Sequence, residues 1–514
     1  MSRTTRRRLG ALALLSTIAL ATVAAVPIPA AGTTGAPPTL RLVVGQTKVT
    51  LKRPEGKRAY LDLGVYLASE GGAFEVWAAR PDYDHPVSLW QVVRDGSLMT
   101  RYPLAGSMFA ADWQGLARFF HVTVTDASGA VVLDRFHPFC PGSGDLARVN
   151  DQGPDVPTYP QFCSGNPFTL GAVWGLDEGW ASNLFGYGTT DSIKGPDGHY
   201  TATVSIAPAY VSRFGIDPAA ATATVAITVR STHHVLCHPF CPAEVRGTRQ
   251  RTRGGSVHAP IGDSVPTDPT PDPSIQPDLV ALPAWGITVE HDRRSRRDYL
   301  DFGATVWDAG PSPLVVEGFR RPGQPIMDGW QYFYANGEPV ARAPAGTLMY
   351  DPRPGHQHWH FEQFARYALL GANQSEIVRS EKEAFCLAPT DAIDLTVPNA
   401  EWQPYSIGLA TACGYRSSIW TRETLPAGWG DTYEQSLPGQ SFDITDLPNG
   451  TYYIEVVANP QGALIERSTS NDTQLRKVIL GGTPGHRTVR VPPWHGIDTE
   501  GNGNGSGPVP ISAG

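Results

Sequence analysis

The sequence predicts an all-β protein, laid out as two tandem β-sandwich-like domains with long loops and joined by a Pro-rich linker. Three observations predict it. Apolar residues stand at a two-residue period in short runs: Ala202, Val204 and Ile206, then Val225, Ile227 and Val229, and much later Tyr452, Ile454, Val456 and Ala458. That period puts them on one face of an extended strand. Turn formers separate the runs, with 54 glycines and 46 prolines in 514 residues, and 18 tyrosines and 13 tryptophans add strand-favouring bulk. Finally, several short motifs occur twice in the same order.

Tyr60-Leu61-Asp62-Leu63-Gly64 answers Tyr299-Leu300-Asp301-Phe302-Gly303, and Leu104-Ala105-Gly106-Ser107-Met108 answers Pro344-Ala345-Gly346-Thr347-Leu348. Phe139-Cys140 answers Phe385-Cys386, each followed at a similar distance by a second cysteine. Pro196-Asp197-Gly198-His199-Tyr200 answers Pro448-Asn449-Gly450-Thr451-Tyr452. Four ordered matches point to an internal duplication.

Taken in order, residues 1–31 read as an export signal. Arg3 and Arg6 to Arg8 precede an apolar stretch from Leu9 to about Val26, and Ala30, Ala31 and Gly32 offer cleavage sites. An uncleaved anchor is the alternative. The paired arginines also suggest the twin-arginine route, although the rest of that signal is missing. Residues 38–241 form the first β domain, 242–276 a linker dense in Pro, Asp, Thr, Arg and Gly, 277–482 the second β domain, and 483–514 a loose tail. No later segment is long and apolar enough to span a bilayer, so no stable membrane insertion is expected once the signal is removed, and the location expected is extracellular.

A net charge of -8, without a long basic run past the N-terminus, argues against nucleic acid as a partner. The six cysteines are an even set in an apparently exported chain, and proximity suggests Cys140 with Cys163, Cys237 with Cys241, and Cys386 with Cys413. His233, His234 and His238 crowd the middle pair, so that cluster reads either as a small disulfide loop or as a metal site.

The strongest chemical signal is His356-Gln357-His358-Trp359-His360. In a strand the three imidazoles point to one face, roughly 6.5 to 7 Å apart, and a twist or bulge brings them onto one metal. Trp359 then faces the core. Imidazole ligands alone suit copper, zinc, iron or nickel, and three of them leave a coordination position open for chemistry.

These residues, with Phe364-Ala365-Arg366-Tyr367-Ala368-Leu369-Leu370, Lys382-Glu383-Ala384-Phe385-Cys386-Leu387, Asp431-Thr432-Tyr433, Asp443-Ile444-Thr445-Asp446 and the opening Pro277-Asp278-Leu279-Val280, resemble the lysyl oxidase catalytic domain in order and spacing. The resemblance covers about 200 residues, nearly all of the second domain. It implies copper on His356, His358 and His360, and a lysine tyrosylquinone made from Lys382 and Tyr433. It implies an amine oxidase that converts primary amines or peptidyl lysine to aldehydes with O2, releasing hydrogen peroxide and ammonia. The general base expected is Asp431, two residues before Tyr433 and on its face of a strand, with Asp443 or a neighbour of a histidine ligand as the alternative.

The resemblance also implies calcium held by Asp278, the backbone of Leu279, Glu466, Asn471 and Asp472, although Ser468 replaces one carboxylate of that loop. A polar turn closing the last strands is the alternative. Gly355 stands where animal members carry a cysteine, and Cys386 with Cys413 is the one pair left in this domain. The substrate stays open among free amines, polyamines and surface lysines. The Ala, Gly, Pro and Arg bias looks bacterial, and collagen and elastin are absent there.

Aligned on the Phe-Cys pair without gaps, the first domain offers Ala110, Asp112 and Gln114 at the histidine positions and Phe136 at the lysine, with Tyr187 opposite Tyr433. A tyrosine without metal or lysine cannot build the quinone, so this domain is expected to be silent. Two other readings compete with the enzyme: a copper-binding or surface-adhesion protein without turnover, and a zinc hydrolase. Lys382 and Tyr433 are essential only to the oxidase.

Overall fold

The computed structural model describes residues 37–143, 145–163, 165–185, 191–232, 264–353, 357–362, 364–380, 384–405, 409–434 and 441–500. The export signal, Cys237, Cys241 and their neighbouring histidines, Tyr187, His356 and Lys382 lie outside these residues. The fold is all-β; among the described residues the one α-helix is Pro208–Phe214.

Each half lays out three larger sheets, and the N-terminal half adds a two-stranded one, Ala59–Tyr60 with Ser192–Ile193. In the N-terminal half the first runs Thr39–Val44, Val65–Glu70, Trp180–Asn183, Leu146–Arg148, and the second Gly171–Leu176, Phe74–Ala79, Ser88–Asp95, Leu98–Leu104. The third runs Lys48–Pro54, Thr222–Thr232, Gly198–Ile206, Leu116–Asp126, Val131–Phe139. The C-terminal half repeats this order except at the outer strand of the third sheet, where an antiparallel strand from its end replaces the parallel Lys48–Pro54. Its first sheet runs Leu279–Ala281, Arg297–Asp308, Trp429–Glu434, Asp391–Ala392, and its second Trp420–Leu425, Leu314–Arg320, Ile326–Ala335, Glu338–Asp351, with His358–Phe361 added at the edge. Its third runs His486–Arg490, Thr473–Thr483, Gly450–Ala458, Ala365–Leu370, Glu376–Arg379. The alternating residues behave as a two-residue period requires: Ala202, Val204, Val225 and Ile227 are buried in one core, and Ile454, Val456 and Ala458 in the other.

Two boundaries differ from the sequence expectation. The stretch from 483, expected as a loose tail, begins with the strand His486–Arg490, antiparallel to Thr473–Thr483. It continues to Trp494, whose ring lies 4.9 Å from Tyr83 and 5.4 Å from Phe168 in the other half. With Val489 as its single apolar residue, that strand carries no readable alternation. The linker's end is also docked: Val265 is buried against Val315, Tyr332 and Tyr334, and Thr267 bridges Arg342. Isolated apolar residues in a Pro-rich stretch give no period, yet one buried valine is enough to seat it.

The halves are welded together. The backbone amides of Leu170 and Gly171 donate to the carbonyl of Ile393 at 2.7 and 3.1 Å, and Leu395 donates to Gly171 at 2.9 Å. A Cβ on Gly171 would meet Asp394 Oδ1 at 2.0 Å, so only glycine permits this approach. Beside it Trp402 stacks on Tyr159 at 5.6 Å and meets Trp77 edge-on at 6.5 Å. The buried Glu75 beneath accepts two bonds from Arg94 at 2.7 Å, one from Trp77 Nε1 at 2.5 Å and one from the Tyr159 hydroxyl at 2.7 Å. Four donors on one carboxylate offset the cost of burying its charge.

Candidate active site

The histidine strand is the edge strand that the N-terminal half lacks. Antiparallel pairing sets His360 opposite Met349 and His358 opposite Asp351. Its other side is held by loops: Trp359 N–H donates to Cys413 O at 3.0 Å, and Phe361 and Phe385 exchange backbone bonds at 2.7 and 2.9 Å. The Cys386–Cys413 disulfide ties those two loops to each other, and Cys140–Cys163 forms in the N-terminal half. Trp359 is fully buried, as its alternation requires, and its Nε1 donates to Tyr415 O at 2.9 Å.

The imidazoles of His358 and His360 are neighbours, with ring centroids 4.6 Å apart, His358 half-buried and His360 buried. Asp351 Oδ2 lies 3.8 Å from His360 Nδ1, and Arg353 grips that carboxylate from 2.6 and 3.0 Å. Among the described residues no three His, Cys, Asp or Glu side chains converge in metal-holding geometry, and the described set contains two of the three expected histidines. Two adjacent imidazoles with a carboxylate facing a ring nitrogen fit a borderline metal such as copper.

Tyr433 lies on the strand Trp429–Glu434, with its hydroxyl donating to Cys386 O at 2.6 Å and its ring 4.7 Å from Phe385. Burial raises the phenol's pKa well above its ordinary value, and the charges of Asp431 and Glu423 raise it further. Asp431 is buried two residues earlier on that strand, and its charge also bears on Tyr367 and Glu423. Asp443, the alternative base, is engaged elsewhere by Arg297 and by Thr445 at 2.6 Å.

Sequence reasoning missed Glu423. It is fully buried, takes the Leu387 amide at 3.0 Å, and has its pKa pushed well up, first by burial and then by Asp431. Trp420–Leu425 carries four polar residues in a row, Thr421 to Thr424, so nothing in the sequence separates this carboxylate from a surface one. The N-terminal half also reaches the back of the tyrosine strand: buried Asn166 bonds Asp391, and its Nδ2 lies 3.4 Å from Thr305 Oγ1, which bonds Thr432 Oγ1 at 2.7 Å.

The expected calcium residues come together on the far side. Asn471 Nδ2 donates to Asp278 Oδ1 at 3.1 Å, Asn459 Nδ2 to Glu466 Oε1 at 2.6 Å, and Leu279 offers its amide to Glu466 Oε2 at 2.9 Å. Burial, then the charges of Asp472 and Asp278, raises Glu466 to about 7, and burial, then the charge of Asp278, raises Asp472 to about 6. The buried Asn471 Oδ1 and Asp472 Oδ1 accept no bond among the described residues, the signature of oxygens that suit a hard cation. Ser468 turns to Ser470 at 2.8 Å instead.

The C-terminal half thus brings together paired imidazoles on a sheet edge and, on another strand, a sequestered phenol under the influence of two buried carboxylates. Residues 346–486 match the lysyl oxidase family model. Relatives include lysyl oxidase homolog 2 of Gallus gallus, 27% identical over 31% of this chain and 18% of the relative, and lysyl oxidase homolog 4 of Mus musculus, 29% identical over 30% and 18%. Homolog 2 of Homo sapiens is 28% identical over 30% of this chain. The match thus spans less than a fifth of these relatives' own length.

Proposed function

We propose that the C-terminal half is a copper- and quinone-dependent amine oxidase, exported from the cell, and that the N-terminal half is a duplicated copy without catalysis. The observation that supports this best is the phenol of Tyr433, held between Phe385 and two buried carboxylates inside the stretch that matches the family. His356, His358 and His360 would hold copper, and Lys382 and Tyr433 would supply the quinone. Together they would provide an electrophilic carbonyl and a path for electrons to O2.

The chain's own residues do the rest. Cys386 O and Phe385 fix the Tyr433 ring. The Cys386–Cys413 disulfide ties together the two loops that flank the free edge of the histidine strand. Asp431, two residues from Tyr433 on the same strand, would accept the α-proton of a bound amine. The balance is one amine, one O2 and one water to one aldehyde, one ammonia and one hydrogen peroxide. Asp278, Glu466, Asn471 and Asp472 would hold calcium and close the last strands onto Leu279.

The deciding experiment is peroxide release from primary amines by the copper-loaded chain, beside Lys382→Ala and Tyr433→Phe, with visible absorbance read in parallel. Both signals are expected in the parent, with a loss on the order of a thousandfold or more in either variant. A colourless, inactive copper-loaded parent would instead support a copper-binding or adhesion protein.

A further inference from the structure

The N-terminal half carries a polar cavity of about 370 Å³ lined by Arg58, Asp134, Arg135, Asp191, Ser192 and Lys194. Its composition is intelligible against the other half. There the strand Phe442–Asp443 sets Asp443 opposite Tyr299, and Arg297, two residues before that tyrosine, pairs with Asp443. Here Ser192–Ile193 sets Ser192 opposite Tyr60, with Arg58 two residues before it. The same two-strand device therefore places a hydroxyl where the other half places a carboxylate, and Arg58 Nη1 reaches Ser192 Oγ at 3.5 Å. Among the described residues no carboxylate takes the place of Asp443 beside Arg58.

Further replacements push the same way. Lys194 follows Ser192 by two residues where Thr445 follows Asp443, and Arg135 precedes the Phe-Cys pair by four residues where Glu381 does. The cavity's one buried acid, Asp191, lies 2.7 Å from His137 Nε2 and 3.7 Å from Arg135 Nη1. Asp134 is held by His121 at 2.5 Å. Among the described residues Arg58 and Lys194 have no carboxylate within ion-pair distance. Both are exposed, at the rim of the cavity.

We infer that this cavity is a binding site for a small oxyanion, a phosphate or carboxylate group borne on a larger molecule. Two guanidiniums, an ammonium and a hydroxyl supply directed donors for such a group, and a planar guanidinium suits two oxygens at once. The volume holds the anionic group and a short stretch of what carries it. The inference rests on the register shared by the two halves, and it stands whether or not the C-terminal half oxidises amines.

The test is calorimetric titration of the full chain at low salt with inorganic phosphate and, separately, with glutarate. Saturable binding of either is expected, and which one binds identifies the source of the oxyanion. Ser192→Asp rebuilds the arginine–aspartate pair of the other half and is expected to weaken binding about tenfold or more, with the melting temperature kept or raised. Arg58→Ala, at an exposed position, is expected to weaken it similarly. No saturable binding of either anion up to about 50 mM, or binding that both variants leave unchanged, overturns the proposal.

Discussion

The N-terminal and C-terminal halves share the strand order of their three larger sheets apart from the outer strand of the third, and they part again at one edge of the second. In the C-terminal half the second sheet gains His358–Phe361, while in the N-terminal half the matching stretch is a turn in which Trp113 takes a positive φ of 62°. The residues counted against the histidines, Ala110, Asp112 and Gln114, therefore lie off any sheet. A metal site of this kind needs more than histidines in place of other side chains. It needs a strand that holds alternate residues on one face, and loops to hold that strand. The difference teaches that the scaffold and the site are separable: one half keeps the frame without the edge on which the chemistry stands.

The comparison is broken most severely by separating the halves. Trp402→Ala removes the ring that joins Tyr159 and Trp77 across the junction. It is expected to cost about 3 kcal/mol and to split a single calorimetric transition into two. A single transition at the parent's temperature would mean that the backbone bonds of Gly171 suffice.

A smaller effect is expected beside the histidines. Asp351→Asn weakens the carboxylate that faces His360 Nδ1, and copper affinity measured by chelator competition should fall about 10- to 100-fold. Asp112→Asn, at the matching stretch of the other half, should leave it unchanged. Equal effects would deny that the metal belongs to one half alone.

The smallest effect compares two aspartates of one motif. Asp301 is buried, and burial, helped by the charge of Glu290, raises its carboxyl to about 7, whereas Asp62 is exposed. A raised acid contributes its stability in full below the unfolded value near 3.9 and loses it as pH rises through 7. Asp301→Asn should therefore gain on the parent by on the order of 1 kcal/mol between pH 4 and pH 8, after allowance for solvent screening. Asp62→Asn should show no such change in the same melting curves.

Much of this was legible in sequence. The strand runs around Ala202 and Ile454, the twofold recurrence of motifs, the placement of Trp359 toward the core and the pairs Cys140–Cys163 and Cys386–Cys413 all follow from period, order or proximity. The docked linker end and the strand His486–Arg490 were not legible, because single apolar residues in polar stretches leave no period to read. Glu423 was equally hidden, since burial of one carboxylate in a run of polar residues depends on what covers it.

By itself the sequence determined the local conformations, the family resemblance and the residues able to bear the chemistry, because alternation, turn residues and motif spacing act over a few neighbours. The tertiary structure alone decided which of those residues meet. Asn166 reaches Asp391 and Thr305, and Trp402 lies on Tyr159, across separations of well over 100 residues. The exposed Asp62 and the buried Asp301 stand in one shared motif. Burial and electrostatic environment are properties of the packed chain: the same side chain costs little in water and several kcal/mol when sealed from it without a partner.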